Sequence, residues 1–315
     1  MRKLGAKVKA DPRPLRTVIR QDYPLYLFLV PAIASTILFS YLPMFMNYVA
    51  FLDYKTYNGW MGLASPFVGF DNFVNVLSNP ELWVVIGRTI YYSALLTIVN
   101  FPACIVFALL LNEVRSIAYK RTVQTLSYLP HFVSWVTVAS LFYLFMSVDS
   151  VGLINNIREF FGFERISIMK DPGNFPIVLV LSSLYKGIGW GSIIYLAAIS
   201  GVDQQLYEAA KIDGASRFKQ VWHITLPCIL PTISLLLVMN LGSLFSSNFD
   251  HVYNFQNPLI QAHTNTIATL TYEVTLVRNL YSRGAAIGLF QGVVNAIFLL
   301  GSDKVAKKLS GYGLF

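Results

Sequence analysis

The sequence predicts an all-α, polytopic integral membrane protein with six transmembrane helices, and three observations support that fold class. Hydrophobic residues make up 55% of the 315-residue chain and charged residues only 13%, whereas roughly a quarter of residues are charged in ordinary soluble domains. The mean hydropathy is +0.54. Six apolar runs also reach the length of about 20 residues that a helix needs to cross the roughly 30 Å hydrocarbon core of a bilayer.

Each run is expected to be a helix, because a spanning segment cannot leave its backbone groups unpaired in lipid. The runs lie at about residues 25–50, 84–111, 124–147, 176–200, 229–251 and 285–303. Proline predicts kinks in the first three runs, at Pro31, Pro43, Pro102 and Pro130. Between the third and fourth runs, the outer loop 148–175 has an amphipathic pattern that could form a short helix.

Basic residues set the predicted orientation. With the amino terminus inside, the inner segments hold sixteen Lys and Arg residues and the outer loops six, so both termini are predicted to be cytoplasmic. The expected domains are a basic tail (1–24), a transmembrane domain (25–303) with a cytoplasmic loop (201–231), and a second tail (304–315). Insertion topology and anionic lipid headgroups account for the net charge of +8, so nucleic-acid binding is not expected.

The charged segment 208–231 lies between two strongly apolar runs and has the pattern of a helix-turn-helix. Helix formers continue to Ile212, and Gly214 can end that helix in a sharp turn. A second helix can then run from Ala215 to Ile224, before Pro227 and Pro231, where we expect it to break.

No catalytic or metal-binding pattern stands out. The two cysteines, Cys104 and Cys228, are expected at different depths without a disulfide, and the four histidines lack paired-ligand spacing. No G-x-x-x-x-G-K-[ST] loop is present, so the chain is not expected to hold ATP in the usual phosphate cradle. We therefore expect a non-enzymatic chain with no cofactor or metal of its own.

Polar residues within the spans are candidates for a substrate path, because they cost free energy unless they face protein or a wet cavity. Amides, hydroxyls, a carboxylate and aromatic rings together suit a sugar, although Ser and Asn also hold membrane helices together. The candidates are Tyr185, Lys186, Trp190, Asn240, Ser243, Ser247, Asn248 and Asp250. Lys186 could extend to the membrane interface or meet an acidic sugar. Gly187, Gly189 and Gly191 suggest close helix packing or a path lining.

The loop resembles the EAA loop of the membrane subunits of binding-protein-dependent ABC importers. The matching positions are Glu208, Ala209, Ala210, Asp213, Gly214, Ala215, Ile224, Leu226 and Pro227. Outside the loop, PAIASTILFSYLPM, QTLSYLPHFVSW and GWGSIIYLAAI resemble carbohydrate-importer permeases of the LplB type, which are related to the maltose permease. The resemblance covers about residues 25–310, and the segment 254–283 departs from the family pattern.

That resemblance implies a permease in the bacterial inner membrane that forms half of a sugar path. Its implied partners are a second permease, by family precedent a different chain, two ATPase subunits that bind ATP and Mg, and an extracytoplasmic solute-binding protein. Glu208 would be the charged contact in the ATPase groove, Ala209 and Ala210 would allow a close fit, and Gly214 would permit the turn. The subfamily includes carriers of uronic-acid oligosaccharides such as alginate fragments, so an acidic oligosaccharide is the leading expectation.

Other classes fit less well. A secondary transporter should have internal repeats and intramembrane acidic ion sites, but Asp and Glu are nearly absent from the runs. An ion channel should show a repeated filter-like segment or a charged ring. A membrane-embedded enzyme should place a nucleophile beside a base, and His131 near Ser127 and Ser134 is the nearest approach. The secondary transporter remains the alternative hypothesis.

Overall fold

The computed structural model describes residues 15–58, 62, 64–242, 245 and 249–310. Within these ranges the chain is helical, and its only β-type pairing is an isolated bridge between Leu52 and Phe67. The α-helices, in chain order, are α1 Leu15–Thr36, α2 Leu42–Phe45, α3 Asp71–Leu77, α4 Pro80–Glu113, α5 Ile117–Tyr128, α6 Trp135–Phe145, α7 Leu153–Phe160, α8 Phe175–Ser200, α9 Gln204–Ile212, α10 Arg217–Gln220, α11 Leu226–Gly242, α12 Phe249–Phe255, α13 Gln261–Thr264, α14 Ile267–Tyr272 and α15 Tyr281–Ser310.

The first span, Asp22–Phe51, is continuous but changes its winding. A π-helical segment, Ile37–Tyr41, follows α1, and a 3₁₀ segment, Met46–Phe51, follows α2. Pro31 lies within α1. None of the most apolar stretch of this span is buried, so its side chains face away from the rest of the chain.

The second, fourth and sixth spans confirm the sequence prediction, with helices at Pro80–Glu113, Pro172–Ser200 and Tyr281–Val305. The fifth was predicted at 229–251, and that prediction is wrong at both ends. Its helix begins at Arg217 and ends at Gly242, and α12 is a separate helix.

The expected break at Leu226–Pro227 is also wrong. A π-helical turn, Val221–Thr225, joins α10 to α11, and Pro227 lies in the first turn of α11. Pro227 has no N–H to donate to the preceding turn, and the wider π-helical winding at Val221–Thr225 accommodates it without a break. The second helix of the loop therefore continues directly into the fifth span.

The third span, predicted as one helix over 124–147, is instead two helices. One runs over Ile117–Phe132 and the other over Trp135–Phe145, with a bend of 103° between them. Pro130 lies in the 3₁₀ turn at the end of the first part. Ser134 starts the second with its hydroxyl accepting from Thr137 N. Proline and a capping serine together turn the expected kink into a full break.

Three buried clusters hold the helices together. The first joins α4, α8 and α11 next to the loop 201–231 through Ala108, Leu111, Tyr195, Leu196, Ile199 and Ile229. A second cluster joins α4, α14 and α15 around Ile267 and Ala286. A third joins α6, α8 and α12 around Val138, Leu179 and Phe255.

The segment between the fifth and sixth spans is a helical unit that packs back on the ends of the spans opposite the loop 201–231. Ile267 N donates to the Thr89 hydroxyl on α4 at 2.9 Å, and Arg88 donates to Ala262 O at 2.7 Å. The Tyr143 hydroxyl on α6 donates to Phe255 O at 3.1 Å. The loop 148–175 contains α7, the short helix that its sequence suggested.

Candidate functional site

The loop 201–231 contains a helix, a tight turn and a second helix, as its sequence predicted. Gly214 has a φ of +73°, a conformation that side-chain-bearing residues rarely adopt. Gly214 N donates to Lys211 O at 3.1 Å, and Ala215 N donates to Ala210 O at 2.8 Å. These two bonds form a Schellman motif, which ends α9 at a fixed angle.

The helix α9 has one face toward the protein and one face toward solvent. Gln205, Glu208, Ala209 and Ile212 lie at helical spacing on the exposed face, whereas Ala210 is partly buried on the opposite side. Of the two alanines for which a close fit is expected, Ala209 is therefore the more exposed. Asp213 is exposed and is the residue that ends the helix.

Three exposed apolar side chains in this charged loop were missed by sequence reasoning. Ile212 is 87% exposed, Phe218 75% exposed, and Trp222 is also exposed. The rings of Phe218 and Trp222 stack with centroids 6.4 Å apart. The signal available in the sequence was three large apolar residues in a segment rich in Lys, Arg and Asp.

Two side-chain contacts connect the loop to the ends of spans. Arg217 Nη1 lies 2.5 Å from Glu113 Oε2 at the end of α4. The Tyr207 hydroxyl lies 2.8 Å from Thr225 Oγ1 in the π-helical turn below α11. A polar cavity of about 450 Å³ lies between these contacts. Through α9 and α10 the loop therefore contacts the end of α4 and the start of α11.

The path candidates are spread over three helices. Tyr185 and Trp190 are exposed on α8, and Trp190 stacks on His131 with ring centroids 4.4 Å apart. Asn240 is exposed on α11 and donates to Leu236 O at 2.8 Å. Asp250 is exposed on α12. The remaining candidates, Ser243, Ser247 and Asn248, lie outside the described residues.

Lys186 does not extend to the membrane interface, so that interpretation is wrong. It lies eleven residues from the start of α8 and fourteen from its end, about 16 Å and 21 Å along the helix. Its ammonium group instead contacts backbone carbonyls at the break of the third span.

Close packing explains two of the three glycines on α8. A Cβ on Gly189 would lie 2.2 Å from Ser127 O, and one on Gly191 would lie 2.6 Å from Cys104 Sγ. A Cβ on Gly187 would meet no atom within 4 Å. The helix α5 therefore contacts α8 backbone to backbone at Gly189.

Comparison with known proteins decides the family. The model of a family described as binding-protein-dependent transport system inner membrane component matches residues 100–300. The chain belongs to that family. The permease is similar to Protein LplB of Bacillus subtilis (strain 168), with 41% identity over 94% of this chain and 92% of LplB. It is 39% identical to the polygalacturonan/rhamnogalacturonan transport system permease protein YteP of the same organism, over 98% and 95% of the two chains.

Two solved structures support the same assignment. One is a bacterial ABC transporter involved in the import of the acidic polysaccharide alginate, with a TM-score of 0.85, 35% identity and coverage of 94% of this chain and 99% of that chain. The other is a bacterial alginate ABC transporter in complex with a periplasmic protein that binds an alginate pentasaccharide, with a TM-score of 0.86, 34% identity and coverage of 96% and 100%.

The resemblance to carbohydrate-importer permeases is therefore confirmed. The permease is a multi-pass inner-membrane component of an ABC import system, and its family role is transport rather than catalysis. The secondary-transporter alternative does not fit these findings.

Proposed function

We propose that this permease forms half of the translocation path of an ATP-driven oligosaccharide importer and that the loop 201–231 couples it to an ATPase. The observation that carries the coupling role is the exposed face of α9, where Glu208 and Ala209 lie beside Ile212. Asp213, Gly214 and Ala215 form the turn that sets the direction of that face. The partners are a second, different permease, two ATPase subunits that bind ATP and Mg, and an extracytoplasmic solute-binding protein.

Exposed apolar residues support an ATPase contact at this loop. Ile212 and Phe218 each leave most of their surface uncovered, and burial of such a side chain stabilises an interface by roughly 1.5–3 kcal/mol. A groove on an ATPase subunit could bury Ile212 and Phe218 and place a positive group beside the Glu208 carboxylate.

The direction of the spans supports a cytoplasmic position for this loop and for both tails, 1–24 and 304–315. The broken third span counts as one crossing, so α4 ends and α15 ends on the side where α9 lies. Sixteen of the basic residues also lie on that side under the positive-inside rule.

An acidic oligosaccharide is the substrate class that the comparisons favour. The similar solved transporter imports alginate, and the similar permease YteP is named for polygalacturonan and rhamnogalacturonan. The side chains offered to the sugar are the exposed Tyr185, Trp190, Asn240 and Asp250, and Ser243, Ser247 and Asn248 complete the proposed path. Lys186 adds no support for an acidic substrate, because its ammonium group is occupied by carbonyls of the chain.

Co-purification tests the assembly. We expect affinity purification of this permease from its native membrane in mild detergent, followed by mass spectrometry, to recover an ATPase and a second permease with its own EAA loop. The purified complex in proteoliposomes should then take up uronate oligomers only with ATP and the loaded binding protein. Recovery of this chain alone, with transport that needs no ATP, would overturn the proposal.

The Arg217–Glu113 ion pair gives a first test of force transmission. Both side chains are about half exposed, so the pair contributes at most about 1 kcal/mol. We expect Arg217→Glu to lower the uptake rate by about two- to fivefold, because two like charges then meet at the end of α4. The double variant Glu113→Arg, Arg217→Glu should recover most of the rate. If the double variant is as slow as the single one, the pair does not transmit motion.

A further inference from the structure

The break in the third span leaves backbone carbonyls without helical partners. The last carbonyls of any helix lack an intrahelical donor, and each unsatisfied polar group in a membrane costs several kcal/mol. Here the helix ends at Phe132 and the next begins at Trp135. His131 O and Val133 O lie at this point, midway along the span, whereas Pro130 O beside them already accepts from Val133 N at 3.2 Å.

The Lys186 ammonium group provides the missing donors. Its Nζ lies 2.6 Å from His131 O, 2.5 Å from Val133 O and 3.5 Å from Pro130 O. An ammonium group has three donors; two of them serve His131 O and Val133 O, and the 3.5 Å contact with Pro130 O lies at the limit of a hydrogen bond. Its positive charge also complements the negative end of the helix dipole. Nζ further lies 5.3 Å from the centre of the Trp135 ring, a cation–π contact with the second half of the span.

The helix α8 holds both halves of the broken span around this lysine. On the first half, Trp190 stacks on His131, and Gly189 lies against the Ser127 backbone. On the second half, Trp135 stacks on His251 with centroids 3.9 Å apart. His251 Nε2 in turn lies 2.8 Å from the Ser182 hydroxyl on α8. Lys186 therefore lies between the two sets of contacts.

We infer that Lys186 is a positioning residue for transport, which locks the break of the third span to α8 so that both half-helices move with α8. Only three residues separate the end of α8 from the start of α9, so a displacement of the loop reaches the break through one continuous helix. This inference rests on the proposed coupling role of the loop. In this role Lys186 acts through its contacts with the protein and does not bind the sugar.

A ligand role for the same lysine makes a different prediction. A sugar carboxylate would have to replace carbonyls that already occupy the ammonium group, and it would leave those carbonyls unsatisfied. A ligand lysine would alter KM for acidic oligosaccharides alone. A positioning lysine alters the turnover rate for any substrate.

The transport test uses three variants in proteoliposomes with the loaded binding protein. We expect Lys186→Met to lower the kcat of ATP-driven uptake by about tenfold or more, since hydrogen bonds to a charged group are lost at the break. KM should stay within about twofold. Lys186→Arg, which keeps the charge and donors, should recover most of the rate, and Lys186→Gln should be intermediate. A tenfold rise in KM with an unchanged kcat, or wild-type uptake by Lys186→Met, would overturn the inference.

A distance measurement tests the lock without any transport assay. Leu126 and Leu144 are exposed on opposite sides of the break and can carry spin labels after Leu126→Cys and Leu144→Cys, with Cys104 and Cys228 replaced by alanine. We expect Lys186→Met to broaden the distance distribution and Lys186→Arg to retain the narrow one. An unchanged distribution in Lys186→Met would contradict the lock. If the wild-type complex shows no ATP-driven uptake but the distribution still broadens, the proposed function fails and the lock stands.

Discussion

Glu208→Lys is expected to lower ATP-driven uptake by more than about tenfold while leaving the permease inserted in the membrane. The carboxylate is exposed on α9 and has no ion pair in the part of the chain that the structure describes, so its loss costs the fold little. At the proposed ATPase contact, by contrast, the lysine would face a positive group that complements the native carboxylate, and such a like-charge juxtaposition costs several kcal/mol. The measurement is uptake and ATP hydrolysis in the same proteoliposomes.

Hydrolysis should persist in Glu208→Lys while uptake falls. A control on the opposite side of α9 is Leu206→Lys, because Leu206 lies about 200° around the helix from Glu208 and its side chain is 46% exposed. This control should transport at near the wild-type rate. Wild-type uptake by Glu208→Lys, or an equal loss in Leu206→Lys, would contradict a coupling role for the face that carries Glu208.

Two substitutions at Gly214 should show how far uptake depends on the backbone conformation of the turn. No atom lies within 4 Å of a Cβ placed there, while its φ is +73°. Gly214→Ala therefore introduces only the left-handed penalty of roughly 1–2 kcal/mol. Gly214→Pro cannot adopt this φ and also removes the N–H that donates to Lys211 O. We expect uptake to fall modestly in the first variant and to be lost in the second, with both proteins inserted. Normal uptake by Gly214→Pro would contradict the role of the turn.

The turn could be predicted from sequence because its physics is local. A run of helix formers followed by glycine, alanine and a capping serine fixes a Schellman motif within about six residues. The apolar length of the spans is equally local, so the second, fourth and sixth were predicted closely. Local patterns also explain the errors. Leu226–Pro227 has the pattern of a helix end, but the π-helical turn just before it allows the helix to continue.

The break of the third span and its partner could not be predicted in the same way. Pro130 indicates a kink but does not give its size. The carbonyls that accept hydrogen bonds from Lys186 lie more than fifty residues away in sequence. Every residue has a backbone carbonyl, so no residue type in the sequence indicates which carbonyls these are. A lysine in an apolar run therefore suggested a ligand or an interface anchor. The structure adds a third role that depends on the arrangement of two helices.

The segment between the fifth and sixth spans shows the same limit. Its hydrophobic pattern is too short for a crossing, and it was predicted only as an outer loop from residue 252 onward. Its helices pack through side chains of distant spans, such as Thr89 and Tyr143. Those contacts depend on the tertiary fold, so the segment's pattern alone could not reveal a packed helical unit.

Gly189→Ala is expected to loosen the contact between α5 and α8, because a Cβ there would overlap Ser127 O and the adjoining carbonyl carbon. A backbone cannot give way as a flexible side chain can, so the helices must separate, at a cost of typically 1–3 kcal/mol. Gly187→Ala on the same helix has open space around the new methyl group and is the matched control. The measurement is the apparent Tm in detergent at one scan rate, followed with a thiol-reactive dye.

We expect the apparent Tm of Gly189→Ala to fall by about 2–8 °C, and that of Gly187→Ala to stay the same or rise, because alanine favours a helix over glycine. The lower apparent Tm of Gly189→Ala should be accompanied by slower uptake. Gly189 lies one turn from Lys186, and its contact with α5 also holds the broken third span against α8. Equal Tm values in the two variants would mean that α5 and α8 do not approach closely at Gly189. A lower apparent Tm with normal uptake would mean that the contact at Gly189 contributes to stability but not to transport. Lys186 would then be the residue through which the broken third span affects uptake.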